Sequence, residues 1–302
     1  MMGSLRVNPN PAPQLLENLQ SLQQQQNQAL AELSSGLAVS QPSDNPAATA
    51  AYIENRAAAG ATDQYQQSSS MLQNQLSVAD ASLNTVVQTL SQAISLATEG
   101  ANGTMSASQR QALATQTANL QQQVLQAANQ TYQGVYLFGG TASTAPPYVL
   151  NATSPSGVQY AGNNNSNSVQ LGPGQNVQVN LPGSQIFNTS GADVFQALHD
   201  LTAALNANSA SAIQAAGAEV QSAFQAVTTQ RTFYGATQQR LQSLDTFLST
   251  ESVQLSQQAA TLAGANMAQV ATQLSQNQVA SQATMNAESK LLSQPNLFSY
   301  LP

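Results

Sequence analysis

The sequence predicts a mainly α protein: an elongated rod of long helices from both halves of the chain, packed as a coiled coil or bundle, with a small β-rich inserted domain. Three observations support this fold class. Apolar residues recur every seven positions in the C-terminal half, two matching series occur in the N-terminal half, and a stretch rich in Gly, Pro and Asn separates them.

The strongest pattern is the seven-residue repeat of the C-terminal half. Its members are Ile213, Val220, Val227, Tyr234, Leu241, Leu248, Leu255 and Leu262. A strict repeat of this period places all members in one stripe along a helix and favours packing against partner helices. We therefore expect a single long helix over residues 213–262 whose apolar stripe is covered by other helices.

A second long helix in the N-terminal half supplies a partner for this stripe. Its two interleaved seven-residue series contain Leu72, Leu76, Leu83, Val86 and Leu90. Together with the C-terminal stripe, these residues form what we call the helix-packing seam. The helix should begin after Ser43, where Asp44 or Asn45 can cap it and Pro46 fits the first turn. It should stop near Gly100.

Two shorter helices lie between the long ones. Ser106 followed three residues later by Gln109 is a capping-box pattern and predicts a third helix that ends near Gly134. A helix around residues 194–205 then leads into the long C-terminal one.

The two ends of the chain repeat the theme with weaker stripes. Gln26 interrupts the first of them, Gly36 is a natural helix stop, and after Gly264 the final helix changes phase, with Ala283 and Ala287 among its expected apolar positions. We expect both ends to be poorly ordered in the free monomer and to fold when packed on other subunits. We call the leucines concerned the terminal assembly seam: Leu15, Leu19, Leu22, Leu33, Leu274, Leu291, Leu297 and Leu301.

These patterns predict three domains. Residues 1–45 and 264–302 form a terminal coiled coil, residues 46–135 and 191–263 form the helical bundle, and residues 136–190 form the β-rich outer insert. The insert is predicted from clustered turn residues and from short runs such as 177–181, which alternates apolar and polar residues as a half-buried strand does.

The composition excludes several classes of function. Only 6% of residues are charged and the net charge is −7, so no basic patch exists to bind nucleic acid or an anionic membrane. The absence of cysteine excludes disulfide and thiolate chemistry. The sequence contains no run of about eighteen apolar residues, so no membrane-spanning helix is predicted. Its first residues lack the apolar segment of a classical signal peptide.

Catalytic and metal-binding patterns are also missing from the sequence. His199 is the single histidine, and beside Asp200 it has no third member for a catalytic triad. No phosphate-binding loop occurs, so no cofactor is expected and the protein is not predicted to be an enzyme. Arg231 and Arg240 could pair with acids of a neighbouring subunit, of their own helix or of the surface.

Several ordered motifs resemble the flagellin-like axial proteins of bacteria and, within that family, its hook–filament junction members. The residues concerned are Leu33-Ser34-Ser35-Gly36-Leu37, Pro42-Ser43-Asp44-Asn45-Pro46-Ala47, Tyr136-Leu137-Phe138-Gly139-Gly140-Thr141, Asp193-Val194-Phe195-Gln196-Ala197-Leu198, Arg231 to Leu244, and Asn296-Leu297-Phe298-Ser299-Tyr300-Leu301. Two positions depart from the family pattern: Asn45 replaces an acid, and Pro295 interrupts a tail that is usually helical.

This resemblance implies a structural role outside the cell. Family members are exported through the flagellar secretion channel, which does not need a signal peptide. The chain would form a homo-oligomeric ring on the first hook-associated (junction) protein, the flagellin filament would grow on that ring, and an export chaperone would be a further partner. The outer β domain would lie farthest from the axis of the tube.

Two other readings of the sequence compete with this one. Filament flagellin shares the predicted helical regions, but usually carries Lys-Asp-Asp-Ala-Ala-Gly where this chain has Pro42 to Ala47. A secreted adhesin or binding module would use the β insert as its recognition face. That insert is short and nearly uncharged, and no aromatic cluster is expected in it, so this reading ranks lower.

Overall fold

The structure is a computed structural model that describes residues 12–39 and 45–292. Its helices are α1 (Ala12–Ser35), α2 (Pro46–Gly100), α3 (Ala107–Ala128), α4 (Gly183–Phe187), α5 (Val194–Asn206), α6 (Ala210–Ala263) and α7 (Met267–Leu292). Its strands are β1 (Thr131–Tyr132), β2 (Val135–Tyr136), β3 (Tyr148–Leu150), β4 (Val158–Tyr160), β5 (Ser168–Gln170), β6 (Asn176–Gln178), β7 (Asn188–Thr189) and β8 (Ala192–Asp193). The prediction of a mainly α fold with a small β-rich insert is confirmed.

Local capping signals set the starts of two helices. The side chain of Asn45 accepts a hydrogen bond from the Ala48 backbone N–H at 3.1 Å, directly before α2; Asp44, the other candidate cap, lies outside the described residues. At α3, the Ser106 hydroxyl and the Gln109 side chain each accept a backbone N–H of the other residue, which is the predicted capping box. Both caps satisfy helix N–H groups that have no partner within the helix.

The end of α3 was predicted wrongly. The helix stops at Ala128, and the following residues form the β1–β2 hairpin rather than a further helical turn. Gln133 and Gly134 occupy its tight turn with φ of 50° and 81°. A left-handed pair of this kind reverses the chain and cannot continue a right-handed helix.

The described chain divides into two compact units. Unit 1 contains the described residues up to Ala61 and those from Ser252 onward, and unit 2 is Thr62–Glu251. The three-domain division drawn from the sequence stays a prediction.

Unit 2 has one continuous apolar core shared by its helices and the β insert. Four of its buried rings, those of Phe138, Tyr148, Phe187 and Phe195, contact one another with ring centroids 5.0 to 6.2 Å apart. The expectation that the insert lacks an aromatic cluster is therefore wrong. Residues far apart in sequence meet here, but because these rings are buried they offer no recognition face.

The insert contains two-stranded antiparallel hairpins and the short helix α4, and asparagine side chains bond to its backbone at several points. Asn129 binds the backbone of Tyr148 through both its amide nitrogen, at 2.8 Å, and its amide oxygen, at 2.9 Å. Asn180 donates to the Gly140 carbonyl at 2.9 Å. Gly140 has φ of +72°, and a Cβ at this position would lie 2.3 Å from the Asn163 carbonyl oxygen. The tight Gly139-Gly140 turn thus requires glycine.

In unit 1, α1 packs against α7. The interruption after α1, at Leu37, lies opposite the interruption after α6, at Gly264. Gly36 ends α1 with φ of +71°, as expected of a helix stop, and Gly264 follows α6. The Ala38 N–H donates to the Ala263 carbonyl at 2.7 Å, and the Ala265 N–H donates to the Gly36 carbonyl at 2.9 Å. These two backbone hydrogen bonds join the segment that follows α1 to the segment that follows α6.

Candidate assembly seams

The helix-packing seam is internal to unit 2 over most of its length. On α6, the side chains of Ile213, Val220, Val227, Tyr234, Leu241 and Leu248 are buried, and on α2 so are those of Leu72, Leu76, Leu83, Val86 and Leu90. All of them belong to the same core cluster. Each such burial contributes roughly 1.5–3 kcal/mol, so this part of the seam stabilises the chain itself.

The seam changes character toward unit 1. Leu255 and Leu262, its last members on α6, are only partly buried. On α2, the seven-residue series of Leu76 continues backwards as three buried polar residues: Ser69, Thr62 and Asn55. Apolar residues alone trace the stripe back only to Leu72. The seven-residue spacing was the signal that could have identified these polar residues as its continuation.

An ion pair connects the two long helices within unit 2. The Arg231 guanidinium on α6 donates to both carboxylate oxygens of Asp80 on α2 and to the side-chain oxygen of Asn84. The hydrogen bonds to Asp80 and the negative charge of its carboxylate raise the pKa of Arg231. The structure pairs this arginine with an acid on another helix of the same chain, which is neither the intersubunit nor the intrahelical pairing considered from the sequence. Its partner was not singled out in the sequence.

A buried arginine that sequence reasoning missed joins three segments. Arg110 on α3 is only 6% exposed. Its Nε donates to the Gly100 carbonyl at 2.7 Å, its Nη2 donates to the Asn102 carbonyl at 2.8 Å, and its Nη1 donates to the Asn208 side chain. Since Gly100 ends α2, the positive charge also lies at the negative end of a helix dipole. This clamp holds the α2–α3 and α5–α6 connections together.

The terminal assembly seam is less well covered than the seam of unit 2. Leu15, Leu19, Leu22 and Leu33 on α1 and Leu274 on α7 are partly buried, and Leu291 lies near the end of α7. Leu297 and Leu301 fall outside the described residues. Ala29 and Val270 are the buried apolar side chains of this helix pair among the described residues.

The inward face of α7 was predicted wrongly in the second half of the helix, although Val270 and Leu274 lie on the inward face as expected. Ala283 and Ala287 are exposed, whereas Asn277 and Ser281 are buried. These two polar residues follow Val270 and Leu274 by seven positions each, so the stripe continues with amide and hydroxyl groups. Gln26 on α1 donates its side-chain N–H to the backbone carbonyl of Asn277 at 3.0 Å.

Large apolar side chains remain exposed on both helices of this pair. Leu16 and Leu30 on α1 are each 50% exposed, and Val279 and Met285 on α7 are 68% and 50% exposed. Within the described part of the chain, nothing covers them. Exposed apolar side chains that form one contiguous patch are typical of surfaces that another protein covers.

The described residues contain no group of three acidic, histidine or cysteine side chains that could hold a metal ion. His199 is exposed on α5, and its neighbour Asp200 accepts two hydrogen bonds from Gln196, at 2.8 and 2.9 Å. No helix in residues 12–39 and 45–292 is long and apolar enough to cross a membrane.

Comparisons with known proteins connect this architecture to flagellar components. The N-terminal helical region of bacterial flagellin matches residues 8–143, and the C-terminal helical region of bacterial flagellin matches residues 218–301. Flagellar hook-associated protein 3 of Salmonella typhimurium is 28% identical over 159 residues, which are 52% of this chain and 49% of that protein. The chain thus matches about half the length of this curated relative.

Solved structures share the fold. A Vibrio parahaemolyticus protein assigned as flagellar hook-associated aligns with a TM-score of 0.67 and 20% identity, over 73% of this chain and 100% of that one. FlgL of Bacillus cereus aligns with a TM-score of 0.59 and 21% identity, over 68% of this chain and 99% of that one.

Proposed function

We propose that this chain, which belongs to the flagellin-like family, is a structural subunit of the bacterial flagellum that forms the hook–filament junction ring. The observation that carries the proposal is its sequence similarity to a hook-associated protein, 28% identity over 159 residues. The same family name recurs among structures that share its fold.

The distribution of burial supports self-assembly through α1 and α7. Unit 2 covers its own apolar seam, so it can fold within one chain. In unit 1, by contrast, Leu16, Leu30, Val279 and Met285 lie at least half exposed. Identical copies arranged in a ring would cover these side chains, and burial of each would contribute roughly 1.5–3 kcal/mol. Since few charged groups are present, little ion desolvation opposes such contacts.

The described part of the terminal segments, the helix pair α1 and α7, gains its final order in this assembly. Partial burial of the leucines on α1 and α7 supports this, because a helix pair with a poorly covered stripe has little tertiary stabilisation. Limited proteolysis of dilute full-length protein should cut within α1 and α7 before it cuts within unit 2, and assembly should protect those sites. Equal resistance of all helices in the dilute monomer would contradict this.

The partners follow from the same role. The first hook-associated protein lies on the hook side of the ring and flagellin on the filament side. An export chaperone accompanies the subunit before it leaves the cell through the flagellar secretion channel. Function is then mechanical: many apolar contacts in a closed ring resist torque together, and no catalytic step is involved.

A deletion strain tests the role directly. Cells without this gene should export flagellin into the medium but grow no filament, because the surface on which the filament starts is missing. Re-expression of the chain should restore filaments. If the deletion instead removes the major exported protein, the chain is filament flagellin, and the junction role is wrong.

A further inference from the structure

The connection between α2 and α3 contains the single Asn-Gly pair of the chain, Asn102-Gly103. The backbone nitrogen of the residue after an asparagine can attack the side-chain amide, and glycine hinders this attack least because it has no Cβ. Both residues are exposed, so water reaches them. The Gly103 N–H makes no hydrogen bond to any of the described residues, which leaves its nitrogen available for the attack.

The side-chain oxygen of Asn102 is held in a position that assists this attack. Its Oδ1 accepts hydrogen bonds from the Thr104 N–H at 3.2 Å and from the Thr104 hydroxyl at 3.0 Å. The first of these bonds folds the side chain back over the peptide bond to Gly103. When the Gly103 nitrogen adds to Cγ, negative charge develops on Oδ1, and donors already directed at that atom stabilise it.

The backbone oxygen of Asn102 has two donors of its own. It accepts from the Met105 N–H at 3.2 Å and from Nη2 of Arg110 at 2.8 Å. Arg110 is 6% exposed, and its other partners, the Gly100 carbonyl and the Asn208 side chain, are also neutral. A guanidinium binds a carboxylate more strongly than a neutral oxygen. The surroundings therefore favour negative charge at the backbone oxygen of Asn102.

We propose that Asn102 converts spontaneously to isoaspartate and that the new carboxylate pairs with Arg110. In the first step the Gly103 nitrogen loses its proton and bonds to Cγ of Asn102, and the side-chain nitrogen leaves with that proton as ammonia. The product is a five-membered succinimide. Water then adds to the backbone carbonyl carbon of Asn102, and the bond from this carbon to the Gly103 nitrogen breaks. The released ammonia takes up the proton of the new carboxyl group.

The oxygen that Arg110 binds thus becomes a carboxylate oxygen, while the chain continues through Cγ. The clamp between the α2–α3 and α5–α6 connections changes from neutral to charge-assisted hydrogen bonding. Attack of water at Cγ would instead give ordinary aspartate, but Met105 and Arg110 polarise the backbone carbonyl and favour attack there. The change adds one negative charge to a chain of net charge −7. It does not depend on the junction role.

The test follows the full-length protein during storage at 37 °C in mildly alkaline buffer, folded in one sample and unfolded in urea in the other. Peptide mass spectrometry with electron-transfer fragmentation separates isoaspartate from aspartate. Asn165, which is exposed and precedes serine, serves as an internal reference. In the folded protein, Asn102 should convert about tenfold faster than Asn165 and give a larger share of isoaspartate than in urea, because the donors act only in the folded chain.

Two substitutions isolate the first step. Gly103→Ala should slow the conversion about tenfold, because the added Cβ hinders the attacking nitrogen. The folded chain accepts this change, since nothing lies within 4 Å of a Cβ at this position. Gly60→Ala is the matched control, because its Cβ likewise meets nothing within 4 Å. It should leave the rate unchanged. Thr104→Val removes the hydroxyl donor and should slow the conversion, and Thr104→Ser should restore it.

Three results would overturn the proposal. Slower conversion of Asn102 in the folded protein than in urea would show that the fold protects this residue. An equal share of isoaspartate in the two samples would show that Arg110 does not direct the water. Equal slowing by Gly103→Ala and Gly60→Ala would show that the attack does not depend on the residue after Asn102.

Discussion

Arg231 and Asp80 join α6 and α2 through a two-pronged ion pair, with Nε to Oδ1 at 2.6 Å and Nη2 to Oδ2 at 2.9 Å. The third donor nitrogen of Arg231 reaches the Asn84 side chain at 2.9 Å. The planar guanidinium thus uses three donors on two residues of one helix. In a chain with 6% charged residues, this pair gives the two longest helices a specific mutual position.

Arg231→Lys should lower the free energy of unfolding by about 0.5–1 kcal/mol, because an ammonium keeps the charge but cannot form the two-pronged contact. Urea denaturation of this variant, of Asp80→Asn and of the double variant gives the coupling energy. Arg240→Lys is the matched control, since Arg240 makes one long contact, 3.4 Å to the Asn176 carbonyl. Equal effects of the two lysine changes would contradict the prediction.

Leu248→Ala and Leu255→Ala should differ although both residues belong to the same predicted stripe. Leu248 is 2% exposed, so its truncation leaves a cavity and costs about 2–5 kcal/mol. Leu255 is only partly buried in the single chain, and its truncation should cost clearly less. Urea denaturation of the two monomeric variants measures both values. A Leu248→Ala variant as stable as the native protein would mean that this stripe faces solvent.

Gly140→Ala should disrupt the β insert, whereas Gly157→Ala should be mild. Both glycines have φ of +72°, so each alanine pays the same left-handed strain, about 1–2 kcal/mol. At Gly140 the added Cβ would also lie 2.3 Å from the Asn163 carbonyl oxygen, while at Gly157 nothing lies within 4 Å. Thermal unfolding and amide NMR spectra of the insert should be compared between the Gly140→Ala and Gly157→Ala variants. Similar destabilisation would show that backbone strain alone matters.

Stability should fall above about pH 10 because of two buried tyrosines. Burial raises the pKa of Tyr148 and Tyr234 above the ordinary value of 10.0, and the nearby Tyr160 and Asp193 raise that of Tyr148 further. The folded state therefore holds these protons more tightly than the unfolded state. The contribution of the two protonated tyrosines to the free energy of unfolding is fully present below pH 10. It is lost as the pH rises toward their pKa in the folded state.

Tyr234→Phe should flatten this alkaline dependence. Its hydroxyl has one weak contact, from the Leu181 N–H at 3.5 Å, so the change should have little effect near neutral pH. The free energy of unfolding, measured by urea denaturation from pH 7 to 11, gives the slope for both proteins. A slope above pH 10 as steep as that of the native protein would rule out Tyr234 as a contributor.

Assembly onto isolated hook ends should persist at high salt. Contacts that bury apolar and amide groups are not screened by ions, and 6% charged residues leave few ion pairs to weaken. Binding of purified chain to hooks, followed by sedimentation from low to about 1 M salt, tests this. Release of the chain between low and moderate ionic strength would indicate assembly driven by charge.

The local features of this protein could be read from its sequence. The Asn45 cap before α2, the Ser106–Gln109 capping box and the stop at Gly36 involve hydrogen bonds or backbone angles within a few residues. The period of seven on α6 likewise needs no knowledge of the partner helix. These signals are short-range, so the chain carries them wherever its helices finally pack.

The tertiary structure decided which groups meet across long stretches of chain. Asp80 meets Arg231 over 151 positions, and Gln26 meets Asn277 over 251. The sequence did not predict that Asn277 and Ser281 are buried, because a buried helix face was identified by its apolar residues. Their position follows from the rotation of α7 against α1, which depends on the packing of both helices together and not on the sequence of either one.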